Sequence, residues 1–129
     1  MSKANENPKE QAWDLEERLL DFSARVVRLA ESLPKTRAGN HLGGQLLRSG
    51  TSPLLNHAEA ESAESAADFI HKLRVTLKEI RETYRCMRLI QHIPLVPAPS
   101  KLDPLIDESD QLIRIFVSSI RTVSRKVRK

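Results

Sequence analysis

Residues 68–88 read DFIHKLRVTLKEIRETYRCMR, and two periodic rows run through them together. Phe69, Leu73, Leu77, Ile80, Tyr84 and Met87 recur every three or four positions, the pattern of one apolar helix face. Arg74, Lys78, Arg81, Arg85 and Arg88 follow the same rhythm on another face. At about 100° per residue, these five cations fall within a sector of roughly 80°. The stretch therefore reads as a long helix with a buried stripe and a cationic stripe, ending near His92 before Ile93-Pro94.

Downstream, Pro94, Pro97, Pro99 and Pro104 predict a stiff connection that opens a last helix from about Asp103 to Lys126. Leu105, Ile113, Phe116, Ile120, Val123 and Val127 are its expected inward residues. Arg114, Arg121, Arg125 and Arg128 form a second basic row, with Ser118 at the missing turn. Between Gln111 and Lys129 stand six Arg or Lys and no Asp or Glu. Like charges at these spacings repel by a few tenths of a kcal/mol per pair, so each row costs some stability unless acids answer it. Glu82 can reach Lys78 and Arg85 on its own helix. Glu16, Glu17, Asp21, Glu59, Glu61 and Glu64 are further acids that could meet the row from elsewhere.

Upstream, Leu15, Leu19, Phe22, Val26, Leu29 and Leu33 mark a first helix that Pro34 ends. Asp14 and Glu17 have the spacing of a capping box, and residues 1–12 read as a flexible polar tail before a single domain over 13–129. A second helix starts between Thr36 and Asn40 and carries Leu42, Leu46 and Leu47. Gly50-Thr51-Ser52-Pro53 interrupts it, because proline removes a backbone donor and crowds the preceding turn. The pattern resumes at Leu54, Leu55 and Ala58, so one helix with a kink near Gly50–Pro53 is expected, with two shorter helices as the alternative. Ala60–Ala67 holds a turn. No segment alternates with period two. Four amphipathic helices with short connections imply an all-α, antiparallel up-down four-helix bundle.

The chain of 129 residues is the size of one domain, and with 4% aromatic residues its core must be aliphatic. The net charge of +4 favours an anionic partner such as RNA, DNA or a membrane surface. Cys86 is the only cysteine, which excludes an internal disulfide and fits a reducing, cytoplasmic setting. The polar N-terminus predicts no signal peptide, and no apolar run is long enough to span a bilayer.

Other chemistries are weakly supported. Ser52, Asn56 and Glu59 share a helical face, but no histidine is placed to serve as their base, and a structural polar network around Pro53 is the better reading. His41, His57, His71 and His92 are far apart and lack metal-ligand spacing, so surface or helix-end positions are expected. Gly43-Gly44 follows no strand, so no nucleotide loop is assigned. No metal, cofactor or catalytic residue is expected.

Two stretches resemble a known family. One is Gln45–Ser52, QLLRSGTS, followed by Asn56, Glu59 and Ala60; the other is Ala67–Leu73, ADFIHKL, continued by Leu77-Lys78-Glu79 and Arg81-Glu82-Thr83. Together they are similar to the bacterial 23S rRNA-intervening sequence proteins, and beyond them to accessory variability proteins of diversity-generating retroelements. This chain departs from the pattern at Pro53-Leu54-Leu55, where members carry small or β-branched residues. The resemblance implies an antiparallel four-helix bundle and a ring-shaped homopentamer. In the retroelement relatives it also implies a basic surface that binds nucleic acid and a reverse transcriptase. The expectation is a non-enzymatic homo-oligomer that binds the RNA or DNA backbone through its two basic rows. The alternative is a protein-interaction module whose arginines meet acids of another subunit.

Overall fold

The computed structural model describes the backbone of residues 8–127 and the side chains of residues 14–127. Four long helices account for most of that length: α1 (Pro8–Ser32), α2 (Arg37–Glu61), α3 (Ala66–His92) and α4 (Asp103–Val127). A short 3-10 turn, Pro99–Leu102, leads into α4. Among the described residues there is no strand, and no helix is long and apolar enough to cross a membrane.

Local chemistry sets the helix ends. Thr36 caps α2 by accepting from the Gly39 backbone N–H at 3.1 Å. Gly39 lies so close to the Pro34 carbonyl that a Cβ there would overlap it. Ser65 caps α3 through the Asp68 N–H at 3.0 Å, and the Asp68 carboxylate in the first turn suits the positive end of the helix dipole. The first helix begins at Pro8, well before the expected start, so Asp14 and Glu17 lie inside α1 and form no capping box at its end. Of the expected tail, residues 1–7 lie outside the described residues, and 8–12 are helical.

The second helix is continuous across Pro53, which is buried within it. Pro53 has no N–H to offer the Ser49 carbonyl. Around this point polar side chains tie the helices together. The Ser23 hydroxyl on α1 donates to the Gly50 carbonyl at 2.9 Å. Thr83 Oγ1 on α3 lies 2.9 Å from Ser49 Oγ and 2.9 Å from the Glu79 carbonyl. Small residues at the crossings let the backbones approach.

The core is one cluster that includes Leu19, Phe22, Val26, Leu46, Ile80, Met87, Ile90, Leu112 and Phe116. Along α2 and α3 the paired residues run in opposite senses: Leu42 meets Cys86, Ser49 meets Thr83, and Glu59 meets Lys72. The expected stripes are largely inside, with four exceptions. Leu55 is 64% exposed, and Leu47, Ala58 and Val127 also face solvent. Leu102 and Leu112 are buried core residues beyond the expected set. The 3-10 turn is tied to α3 by Gln91, whose side-chain amide donates to the Pro99 carbonyl at 3.0 Å and to Asp103 Oδ1 at 2.7 Å.

Candidate nucleic-acid interface

Burial of Leu73, Leu77, Ile80 and Met87 decides which way α3 is rotated, and that rotation turns the cationic stripe outward. Arg74, Lys78, Arg81, Arg85 and Arg88 are all exposed. Among the described residues, none of the five has a carboxylate within 4 Å. Arg74, Lys78, Arg81 and Arg85 line one side of an open groove of about 550 Å³ between α3 and α4. Leu77, Val117 and Ile120 give the groove an apolar lining. Arg88 is held apart from it: its Nη1 donates to the Tyr84 hydroxyl at 3.1 Å, and its guanidinium carbon sits 5.9 Å from the Tyr84 ring centroid.

The second row lies on α4 outside the groove lining, which that helix supplies through Val117 and Ile120. Helical geometry sets Arg121, Arg114 and Arg125 about 40°, 60° and 80° round from Val117. All three are exposed. Arg114 is answered on its own helix by Asp110 at 3.1 Å, whereas no ion pair joins Arg121 or Arg125 to a described acid. Arg128 lies outside the described residues.

Four of the acids that could have met the α3 row, Glu82, Glu59, Asp21 and Glu61, are engaged elsewhere. Glu82 does not turn to Lys78 or Arg85; it pairs with Arg48 on α2, Nη2 to Oε2 at 2.8 Å. The other terminal nitrogen of Arg48 pairs with the nearly buried Glu79 carboxylate at 3.2 Å. Hydrogen bonding to Glu82, then its charge, raises the pKa of the solvent-exposed Arg48. Glu59 binds Lys72 at 2.8 Å and raises its pKa by hydrogen bonding and charge. Asp21 serves Arg25 at 3.5 Å, and Glu61 faces His57 at 3.7 Å. Sequence spacing sees pairs on one helix. The Arg48 pairs needed the register between α2 and α3, and no short-range pattern signals it.

Ser52, Asn56 and Glu59 do not form a shared network. The Asn56 amide donates to the Ser52 backbone carbonyl at 3.0 Å, within α2, while Glu59 reaches across to α3. Glu59 thus locks α2 to α3, as do Arg48 with Glu79 and Glu82 and Ser49 with Thr83, while Ser23 with Gly50 ties α2 to α1. His57 is buried rather than at the surface, set edge-on to Phe116 with ring centroids 6.0 Å apart. Its Nδ1 is buried, with no hydrogen-bond partner among the described residues. His57 lies off the Leu54, Leu55 and Ala58 pattern, so spacing gave no signal for that. Among the described residues, no three His, Cys, Asp or Glu side chains gather as a metal-binding set. Cys86 is half-buried, and desolvation pushes its thiol pKa up.

The profile of the 23S rRNA-intervening sequence protein family matches residues 12–118. The chain belongs to that family. A solved structure with the same helical fold is a protein of unknown function from the S23 ribosomal protein family of Bacteroides thetaiotaomicron VPI-5482. It is 31% identical, covers 85% of this chain and 97% of its own, and superposes with a TM-score of 0.77. No curated protein matches the chain. Within this 23S rRNA-intervening sequence protein, the stretch Gln45–Ser52 that carried the resemblance supplies the α2 crossing: Arg48, Ser49 and Gly50 all contact α1 or α3 there.

Proposed function

We propose that this protein is a non-enzymatic, self-associating cytoplasmic scaffold that binds RNA or DNA through backbone phosphates laid along the α3–α4 face. The observation that carries the reading is the row Arg74, Lys78, Arg81 and Arg85: exposed, a helical turn apart, with no described carboxylate within 4 Å of any of them, and lining one groove. Four cations on a rigid helix neutralise phosphates and release counterions without reading bases. The groove is lined by no aromatic ring that could stack a base, which favours backbone contact over sequence recognition. Ribosomal RNA is the polymer that the family description names, and it is the first RNA to test. A reverse transcriptase is the protein partner that the retroelement resemblance suggests.

The test is fluorescence anisotropy with labelled RNA and DNA of several sequences, between about 50 and 200 mM salt. Four phosphate contacts give a slope of log affinity on log salt of about −3 to −4, with little sequence preference. Binding that is flat with salt, or absent, overturns the proposal. Light scattering after size exclusion measures the subunit number on the same samples.

The apolar lining of Leu77, Val117 and Ile120 favours a second reading, a protein-interaction module in which the arginines meet acids of another subunit. Charge reversal at Arg81 and Arg85 then breaks the oligomer, and nucleic-acid binding is absent throughout.

A further inference from the structure

Arg48 belongs to neither basic row, yet it is paired with the one described acid that lines the groove. Glu82 stands among Arg81, Arg85 and Lys78 in that lining. It follows Lys78 by four residues and precedes Arg85 by three, so both cations are within its reach along the helix. A carboxylate free to choose would neutralise the middle of the row. Instead Glu82 Oε2 is held at 2.8 Å by Arg48 Nη2, and neither Lys78 nor Arg85 has a described carboxylate within 4 Å.

The hold is built from several bonds. The same Nη2 also donates to Gln45 Oε1 at 2.9 Å, one turn earlier on α2, and Nη1 donates to Glu79 Oε2 at 3.2 Å. A planar guanidinium with three acceptors arranged round it loses little freedom on engaging Glu82, unlike a lysine, which would act as a mobile point charge. Glu79 is only 10% exposed at its side chain, which fixes that end of the fork.

Resting on the phosphate-binding reading above, we infer that Arg48 is a positioning residue: it draws Glu82 toward α2 and so keeps Lys78 and Arg85 available to an anionic backbone. The role lies in where a negative charge is held and not in a contact with the ligand. Removal of Arg48 lets Glu82 swing onto Lys78 and Arg85, and the groove loses cationic character at its centre.

A double-mutant cycle with Arg48→Ala and Glu82→Gln tests this, read by anisotropy on a labelled RNA duplex across a salt series. Arg48→Ala weakens binding and makes the salt slope shallower by about 1, the equivalent of one phosphate contact. Glu82→Gln changes affinity by less than about twofold beside Arg48, but restores about fivefold or more in the Arg48→Ala protein, a non-additivity that marks direct coupling. If the two substitutions simply add, as bulk charge or a direct Arg48–phosphate contact requires, the inference is wrong while the phosphate reading stands. If the unmodified protein binds no duplex, the phosphate reading fails and this inference with it. Because Arg48→Ala strands the Glu79 carboxylate, the cycle is repeated in a Glu79→Gln background, where the same non-additivity is required.

Discussion

Gly50 on α2 is pressed against Val26 on α1: a methyl group at position 50 would overlap Val26 Cγ1 and stand 2.9 Å from Val26 Cβ. The Gly50 carbonyl also accepts from Ser23 at 2.9 Å, so α1 approaches the α2 backbone itself here. Helix propensity alone favours Ala over Gly by about 1 kcal/mol. Overpacking of a filled site costs about 1–3 kcal/mol, and Val26 is fully buried with no room to retreat. Gly50→Ala is therefore expected to destabilise the protein in urea denaturation. In the Val26→Ala protein the same change should cost less, since the clashing methyls are gone; an equal cost in both would disprove the close approach.

Gly44 provides the opposite case on the same helix. It is exposed, and a Cβ there would meet nothing within 4 Å. Gly44→Ala should raise stability by roughly 0.5–1 kcal/mol, from lost freedom in the unfolded chain and better helix propensity. A fall in the denaturation midpoint would mean that this face of α2 is covered in solution, as in an oligomer.

Arg18 joins α1 to α4 through a two-pronged contact with Glu108, Nη2 to Oε1 at 2.7 Å and Nε to Oε2 at 3.1 Å. Hydrogen bonding to Glu108 raises the Arg18 pKa against the opposing effect of burial. The Glu108 side chain is 18% exposed, so loss of Arg18 leaves a poorly hydrated carboxylate. Arg18→Met should lower stability by about 1–3 kcal/mol, and Glu108→Gln in that background should recover part of it. Hydrogen exchange should show the loss along the facing stretches of α1 and α4.

How far the sequence reveals this molecule depends on the range of the interaction. Leucine spacing placed Leu19, Phe22, Leu73, Ile80 and Phe116 inside, because a helix that must bury one face has a single way to turn. The same rotation made the outward direction of Arg74 through Arg88 readable. The early start of α1 at Pro8 was hidden, since its first residues are polar and show no apolar period. Leu55 fits the spacing yet faces solvent, as the stripe past Pro53 runs through Pro53, His57 and Ala60 instead. The partners of Arg48 and the burial of His57 depend on how neighbouring helices are set side by side, and such tertiary register leaves no trace in local spacing.

The two basic rows should contribute unequally to nucleic-acid binding. Replacing Arg81 and Arg85 by Gln removes two cations from the groove wall and should make the salt slope shallower by about 2. Arg114 is already paired with Asp110 at 3.1 Å, so Arg114→Gln should change the slope by less than about 1. Equal losses from Arg81→Gln and Arg114→Gln would show that total charge, and not the groove, governs binding.

Cys86 offers a pH-dependent check on packing between α2 and α3. Its thiol lies 3.7 Å from the Leu42 carbonyl, and burial raises its pKa by disfavouring the thiolate. The thiolate is the reactive form, so alkylation by iodoacetamide near pH 8 should be several-fold slower in the folded protein than in urea. The sign for stability follows from the same shift. A group whose pKa is raised on folding contributes stability that is fully present below its unfolded pKa and is lost as pH rises through the folded value. Stability measured against pH should therefore fall on the alkaline side, above the ordinary thiol range, and Cys86→Ser or Cys86→Ala should remove that component of the fall. Alkylation as fast in the folded protein as in urea would show that α2 and α3 part readily at Leu42, and the packing described for that end of the bundle would be wrong.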